Sequence, residues 1–483
     1  MSYKLDIKMK GQQYDEKAAG YIARVNRLPV SGLKMPIIIA LAFGYFIALY
    51  DVIDVGLALP YVSFNGIGLT GGQSSFIASM GLFGYIPGAI GLSFLADKIG
   101  RKPGLIITAS ITAIGSLGNA FSINYAMLVA FRFITGMGIG GDLILVIVYL
   151  VEMVPTKGRG HYVNMVYIVG WAGLGLGPFL ASEVVLLIPN IGWRIIFVIG
   201  GILAVIIVII RETAPETVRF LAVKKRYDEL EKVVSEMEKN AMRKAHVDKL
   251  PEPEPENFAY TERKNPFTVF KDKKYKKRII AVFITIFFFY WGEYPYLTLM
   301  TTYTKSILLY PSTLESSVIF YFGLAGIATF LGSIGIRLVL EKVHRGKLVT
   351  ISNGIGMLLG IIITVYGAVN RNIIIMFVGM IVTNFIGVGW SNQLNYLNGS
   401  ENVPSDVRAT AFSLQDGLGH LGAGISLLLL FPLILSVGSY TGWIIYQIPM
   451  VIAAAFLIFI LPNTIGKNLE TINEALDTNK IES

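Results

Sequence analysis

The chain contains no cysteine, only four histidines, and few charged residues, which make up 15% of its 483 positions. Without cysteine there can be no disulfide and no thiolate metal site. Four histidines and no H-E-x-x-H leave little for a metalloenzyme, no nucleophile–base set stands out, and the lack of a P-loop removes direct use of ATP. No enzyme, no metal and no cofactor is therefore expected. The scarcity of charge excludes still more, because a soluble domain carries roughly a quarter charged residues. Here 54% of residues are hydrophobic and the mean hydropathy is +0.61.

What is present is a series of apolar runs, each close to the ~20 residues that cross a hydrocarbon core. Twelve spans are expected: 35–61, 72–96, 103–122, 125–152, 161–188 and 192–211, then 279–309, 315–340, 347–369, 372–398, 407–436 and 440–461. The expected fold is all-α and polytopic, with two six-helix halves at 35–211 and 279–461. A polar extension (1–34), a linker (212–278) and a tail (462–483) surround them. The net charge of +9 is not a nucleic-acid footprint, because the cations sit in alternate loops. Lys98, Arg101 and Lys102 fall on one side with Lys157, Arg159, Lys342, Arg345, Lys347 and Arg408, whereas Tyr61–Gly72 and Phe121–Tyr125 carry none. By the positive-inside rule both termini are cytoplasmic, in a multi-pass protein of the cell membrane. The linker holds an amphipathic stretch, Val218–Arg243, and a stiff acidic run, Pro251–Glu256. A basic cluster, Lys271–Arg278, then suits orientation and contact with anionic headgroups.

Two charged signatures recur half a chain apart. Glu152-Met-Val-Pro155-Thr-Lys-Gly-Arg159 is matched by Glu401-Asn-Val-Pro404-Ser-Asp-Val-Arg408, and Asp97-Lys98-Ile-Gly100-Arg101-Lys102 by the worn Glu341-Lys342-Val-His344-Arg345. Duplicated halves in a bilayer are a transporter design. With Arg132-Phe-Ile-Thr-Gly136-Met-Gly138-Ile-Gly140, Pro215-Glu-Thr-Val-Arg219 and Leu461-Pro-Asn-Thr-Ile-Gly466, these motifs resemble the major facilitator superfamily across nearly the whole chain. They are most similar to its sugar-porter and metabolite–proton symporter branches. Ser93 stands where the loop motif usually begins with glycine. The resemblance implies alternating access, with Asp97, Lys98, Arg101, Lys102, Glu152, Arg159, Glu341, Arg345, Glu401 and Arg408 clamping the halves at a cytoplasmic gate.

Ionisable residues at bilayer depth are functional candidates. Asp51 and Asp54 lie three apart in the first span, hence on one helical face, and would resist joint ionisation. Arg132 and Asp142 lie in the fourth, Glu293 in the seventh beside Trp291 and Tyr294, Asn392 in the tenth and His420 in the eleventh. Together these form the expected proton-coupling and substrate cavity. In similar proton symporters an acid of the first helix pairs with an arginine of the fourth, as Asp51 or Asp54 would with Arg132. The D-x-x-D of the first span resembles aromatic-acid–proton and phosphate–proton symporters; Gly140-Gly141-Asp142 and Asn392 resemble the phosphate branch, although Leu143 replaces its tyrosine. Sugar porters usually carry a Q-Q-x-x-G-type motif where this chain has Trp291-Gly-Glu293-Tyr294-Pro. The expected activity is secondary transport of a small polar solute, with sugar, carboxylate and phosphate all open, by proton symport and as a monomer in the lipid bilayer. A proton-independent uniporter and a non-transporting nutrient receptor are the alternatives.

Overall fold

The computed structural model describes residues 12–155, 159–188, 190–253, 259–261, 273–306, 315–340, 342–402, 408–437 and 448–453. A short strand β1 (Gln12–Tyr14) and helix α1 (Glu16–Asn26) precede the first long apolar helix, α2 (Met35–Ala58). A small hairpin, β2 (Ser63–Phe64) with β3 (Ile67–Gly68), leads to α3 (Gly71–Pro87). Thr70 starts α3 through a reciprocal capping box. Its hydroxyl accepts from the Gln73 amide, and the Gln73 side chain accepts from the Thr70 amide at 2.9 Å. A π-type widening at Gly88–Leu92 carries the helix into α4 (Ser93–Ile99). Gly100, at φ +118°, then reverses the chain into α5 (Arg101–Ala120), a conformation that only glycine adopts without strain.

Helices α6 (Tyr125–Met153), α7 (Arg159–Leu187) and α8 (Gly192–Arg211) complete the first half. The linker forms α9 (Val218–Val223), α10 (Tyr227–Ala245) and β4 (Ala259–Thr261), which pairs antiparallel with β1. The second half holds α11 (Lys273–Ser306), α12 (Glu315–Gly335), α13 (Arg345–Val349), α14 (Met357–Val369), α15 (Ile373–Val382), α16 (Gly389–Glu401) and α17 (Arg408–Val437). A π-type turn joins α13 to α14, and another joins α15 to α16. Seven helical stretches among the described residues are long and apolar enough to cross a bilayer, and residues 448–453 are helical within the expected last span.

Small residues bring the helices together, since lipid gives apolar side chains no drive to associate. A Cβ on Gly136 of α6 would run into the Gly81 carbonyl of α3, and one on Gly140 into the Tyr85 carbonyl. Among the described residues the halves meet chiefly where α7 packs on α12 and α3 on α17, with α2 also meeting α11. At the first contact, Gly175 of α7 lies against the Gly326 backbone of α12. At the second, Phe83 and Ile90 of α3 and its continuation pack on Gly424 and Gly417 of α17.

From Glu16 onward the polar extension is docked on the linker. Helix α1 lies on α10, where Arg24 meets Glu231 at 2.8 Å and Glu238 at 2.7 Å, and Arg27 meets Glu238 at 2.6 Å. Lys34 pairs with Glu236, and Tyr21 stacks on Tyr227. Asn240 and Lys244 donate to the carbonyls of Gly32 and Ser31, so α10 also grips the segment entering α2.

Candidate functional site

Helix α2 carries Asp51 and Asp54 fully buried, facing α5 and α6. Arg132 of α6 donates from Nη2 to the Asp51 carbonyl at 2.7 Å, while its Nη1 stands 3.6 Å from Asp54 Oδ1. Ser116 of α5 donates to Asp51 Oδ1 at 3.2 Å. Arg132 is thus brought to both acids, and its contact with Asp54 is beyond hydrogen-bond length. Of the Asp51 carboxylate, Oδ2 accepts no hydrogen bond.

A small cavity of about 30 Å³ lies between the two halves. Tyr45, Leu49, Val52 and Trp171 line it from the first half, and Tyr290, Glu293, Tyr294, Asn392, Tyr396 and His420 from the second. Asn392 donates to Glu293 Oε1 at 2.8 Å. The Tyr294 hydroxyl lies 2.9 Å from His420 Nε2, and His420 Nδ1 lies 2.8 Å from the Asp416 carbonyl. A carbonyl can only accept, so Nδ1 carries the proton and Nε2 accepts from Tyr294 in the neutral ring. The His420 ring stacks on Tyr85 with centroids 3.6 Å apart. Arg132 borders an adjoining cavity that shares Val52 and Tyr294 with the central one.

Four placements differ from the expectation. Asp51 and Asp54 lie beside the cavities and are not among the residues described as lining them. Asp142 does not reach the central cavity. It is chelated by Arg211 of α8, with Nη1 on Oδ1 and Nη2 on Oδ2 at 3.0 Å, and Thr108 of α5 adds a bond at 2.7 Å. A guanidinium fork that matches a carboxylate in this way is an internal tie between α5, α6 and α8. Trp291 packs against Phe287 and Phe288 and is not among the described cavity residues. Arg101 bonds Asp97 at 2.9 Å and Glu152 at 3.1 Å, all three within the first half. The ion pairs described at this corner therefore brace one half and do not bridge the two; the second half reaches the corner through Ser413 and Leu414.

Beside that corner Glu216 accepts from the amides of Arg101 and Thr217, and Thr217 donates to Glu152. Burial pushes the Glu216 carboxyl up, against the pull of those amides. Lys102 donates to the Glu212 carbonyl. Lys98 lies at the exposed end of α4, and Arg345 is buried at the start of α13 with its guanidinium on the Leu340 carbonyl. The side chains of Arg159, Glu401 and Arg408, and all of Glu341, fall outside the described residues.

Asp416 is a buried acid that the sequence reading passed over. Tyr85 of the first half donates to its Oδ2 at 2.7 Å and Tyr290 of the second to its Oδ1 at 2.8 Å. Its position four residues before His420, among glycines of one apolar helix, was the available signal.

Two halves of apolar helices closing on a largely apolar cavity that holds a few buried polar side chains define a multi-pass membrane transporter. Comparison with known proteins agrees. The niacin transporter NiaP of Acinetobacter baylyi is 24% identical over 460 residues, 93% of this chain and 99% of that protein. The glucose transporter GlcP of Staphylococcus epidermidis is 28% identical, covering 92% and 97%, and the gallate transporter of Pseudomonas putida is 26% identical, covering 83% and 85%. The inward-open structure of the E. coli xylose transporter XylE superposes with a TM-score of 0.71 at 18% identity, covering 91% of this chain and 99% of that one. The sugar (and other) transporter family matches residues 35–476, and the chain belongs to that family. Its fold is the twelve-helix, two-half fold of the major facilitator superfamily.

Proposed function

We propose that the protein carries a small polar, ring-shaped solute through the central cavity by proton symport, alternating access between the two sides. The observation that carries this reading is the loose pairing of Arg132 with two fully buried acids of α2, next to the cavity. A buried arginine that holds the Asp51 main-chain carbonyl and stands 3.6 Å from the Asp54 carboxylate can release that acid when a proton arrives. The aromatic walls, Tyr45, Trp171, Tyr290, Tyr294 and Tyr396, offer faces for the ring of a sugar or an aromatic carboxylate. Relatives named for niacin, gallate and glucose support the same range. We further infer that the corner of Asp97, Arg101 and Glu152 and both termini are cytoplasmic, and that the monomer is the working unit in the bilayer.

The test is uptake by the protein reconstituted in liposomes, offered nicotinate, gallate, 4-hydroxybenzoate, glucose and xylose with and without an inward proton gradient. Accumulation of one of these against its gradient, lost in Asp54→Asn or Asp51→Asn while solute exchange persists, is the expected result. Uptake that is downhill only and indifferent to pH would establish a uniporter, and binding without flux a receptor.

A further inference from the structure

Glu293 is the acid of the central cavity that the mechanism above leaves unused. It is 2% exposed, it borders the cavity, and it belongs to the half opposite Asp51 and Asp54. Its neighbours can be named from each element around it: Tyr290 and Tyr294 on its own helix, Asn392 and Tyr396 on α16, Asp416 and His420 on α17, Tyr45 on α2 and Trp171 on α7. None of these is a fixed cation. Arg132 across the cavity is engaged with the acids of α2. His420 is engaged elsewhere, with Nδ1 on the Asp416 carbonyl and Nε2 on the Tyr294 hydroxyl. Asp416 is satisfied by two tyrosine hydroxyls.

The bond drawn to Glu293 is a neutral one, from the Asn392 amide to Oε1. An ionised carboxylate in such a place needs a counter-charge, so the group holds either a proton or a cation. No cationic side chain stands within ion-pair distance among the described residues, which leaves the proton. Bound to Oε2, that proton gives the cavity an O–H donor while Oε1 keeps the Asn392 bond. An O–H facing the cavity addresses an acceptor on the solute, a carboxylate or hydroxyl oxygen, rather than an amine.

We propose that Glu293 is a second proton carrier, in the C-terminal half and in direct reach of the solute, so that two protons accompany each solute. This rests on the symport reading above and adds to it a solute-contacting proton and a preference for oxygen acceptors. The proton enters Oε2 from the water on the loading side and leaves to water on the other, and no other bond is made or broken. Asn392 is the positioning residue, fixing which oxygen is free.

The direct probe is the proton itself, so the experiment does not wait on the solute. Full-length protein in liposomes is titrated with pH while infrared difference spectra follow the carbonyl stretch of protonated carboxylic acids. Wild type is expected to show components from both halves. Glu293→Gln should lose one component that Asp51→Asn and Asp54→Asn retain, and Glu293→Asp should move it. Identical titrations of wild type and Glu293→Gln would overturn the proposal, and the Glu293→Asp spectrum serves the same decision if the glutamine variant does not fold. With whichever probe solute the wild type accumulates, the reversal potential should report two protons per solute, falling to one in Glu293→Gln. An unchanged ratio refutes the second carrier. Should the aspartate variants of α2 leave the titration and the ratio untouched while Glu293→Gln changes both, the helix α2 reading fails and this one stands. Tight binding of organic amines that Glu293→Gln abolishes would show a cation in the proton's place and also overturn it.

Discussion

The docking of α1 on α10 permits a prediction whose size follows from the structure. Arg24 is the hub, with Nη1 on Glu231, Nη2 and Nε on Glu238, and Arg27 sharing the Glu238 carboxylate. The Glu231 contact is half in water, its side chain being 46% exposed, and such a pair contributes about 0.2–1 kcal/mol. The fork onto Glu238, whose side chain is 13% exposed, is the stronger part, because bidentate charge-assisted bonds are about twice as strong as neutral ones. Together the two contacts place the loss in Arg24→Ala at about 1–2 kcal/mol, or roughly 5–30-fold in the docking equilibrium. Hydrogen exchange of the amides of residues 16–26 is the assay, because undocking leaves α1 an isolated helix of 11 residues, too short to hold itself in water. Exchange there should accelerate by that factor in Arg24→Ala and also in the wild type at 1 M salt, where the screening length falls to about 3 Å. Exchange rates that match the wild type in both conditions would show that the apolar contacts of Ala18, Ile22 and Val25 alone hold the helix, and the electrostatic argument would be wrong.

The same clamp has a pH dependence with a definite sign. The Arg24 guanidinium holds the Glu231 carboxyl at about 2, below its ordinary 4.5; at Glu238 burial pushes up, but the bonds from Arg24 and Arg27 outweigh it and its carboxyl is lowered too. A lowered carboxyl stabilises docking fully above pH 4.5 and loses that contribution as pH falls toward 2, so the protection of α1, measured against the intrinsic exchange rate at each pH, should hold down to about pH 4.5 and fall below it. Asp142→Ala should lower thermal stability by about 3–5 kcal/mol, because it strands the buried Arg211, and the apolar pair Asp142→Leu with Arg211→Met should recover most of it in thermal unfolding. Gly136→Ala places a methyl against the Gly81 carbonyl and should destabilise by about 1–3 kcal/mol, measured in the same way; unchanged stability would mean that α3 and α6 are free to separate.

Much of the fold was legible because lipid constrains composition so strongly. Apolar runs of spanning length and the Asp97–Arg101 turn around Gly100 both follow from local chemistry, and each has its counterpart in a helix or a positive φ. The docking of α1 was not legible, although its parts were in view: Arg24 and Arg27 on one segment, and Glu231, Glu236 and Glu238 on another some two hundred residues later. Spacing reports which residues share a face, not which distant face they meet. Arg211 was misjudged for a related reason. As the last residue of the sixth span it carried no role in the sequence, yet its guanidinium turns back into the bundle to the Leu105 carbonyl and Asp142.

The case of Asp142 shows what separates a coupling acid from a structural one when both are buried and both face an arginine. Its carboxylate is matched oxygen for nitrogen by Arg211 and receives Thr108 as well, so any motion that parts them leaves two desolvated charges unpaired. Asp54 has a single 3.6 Å contact with Arg132, whose other bond goes to a main-chain carbonyl and survives whichever acid is protonated. Parting Arg132 from Asp54 therefore breaks no hydrogen bond, and a proton on the acid removes the charge that would otherwise be stranded. Burial and the residue types are alike at the two sites. The geometry of the cation is what differs, and a sequence records the arginine but not the direction of its fork.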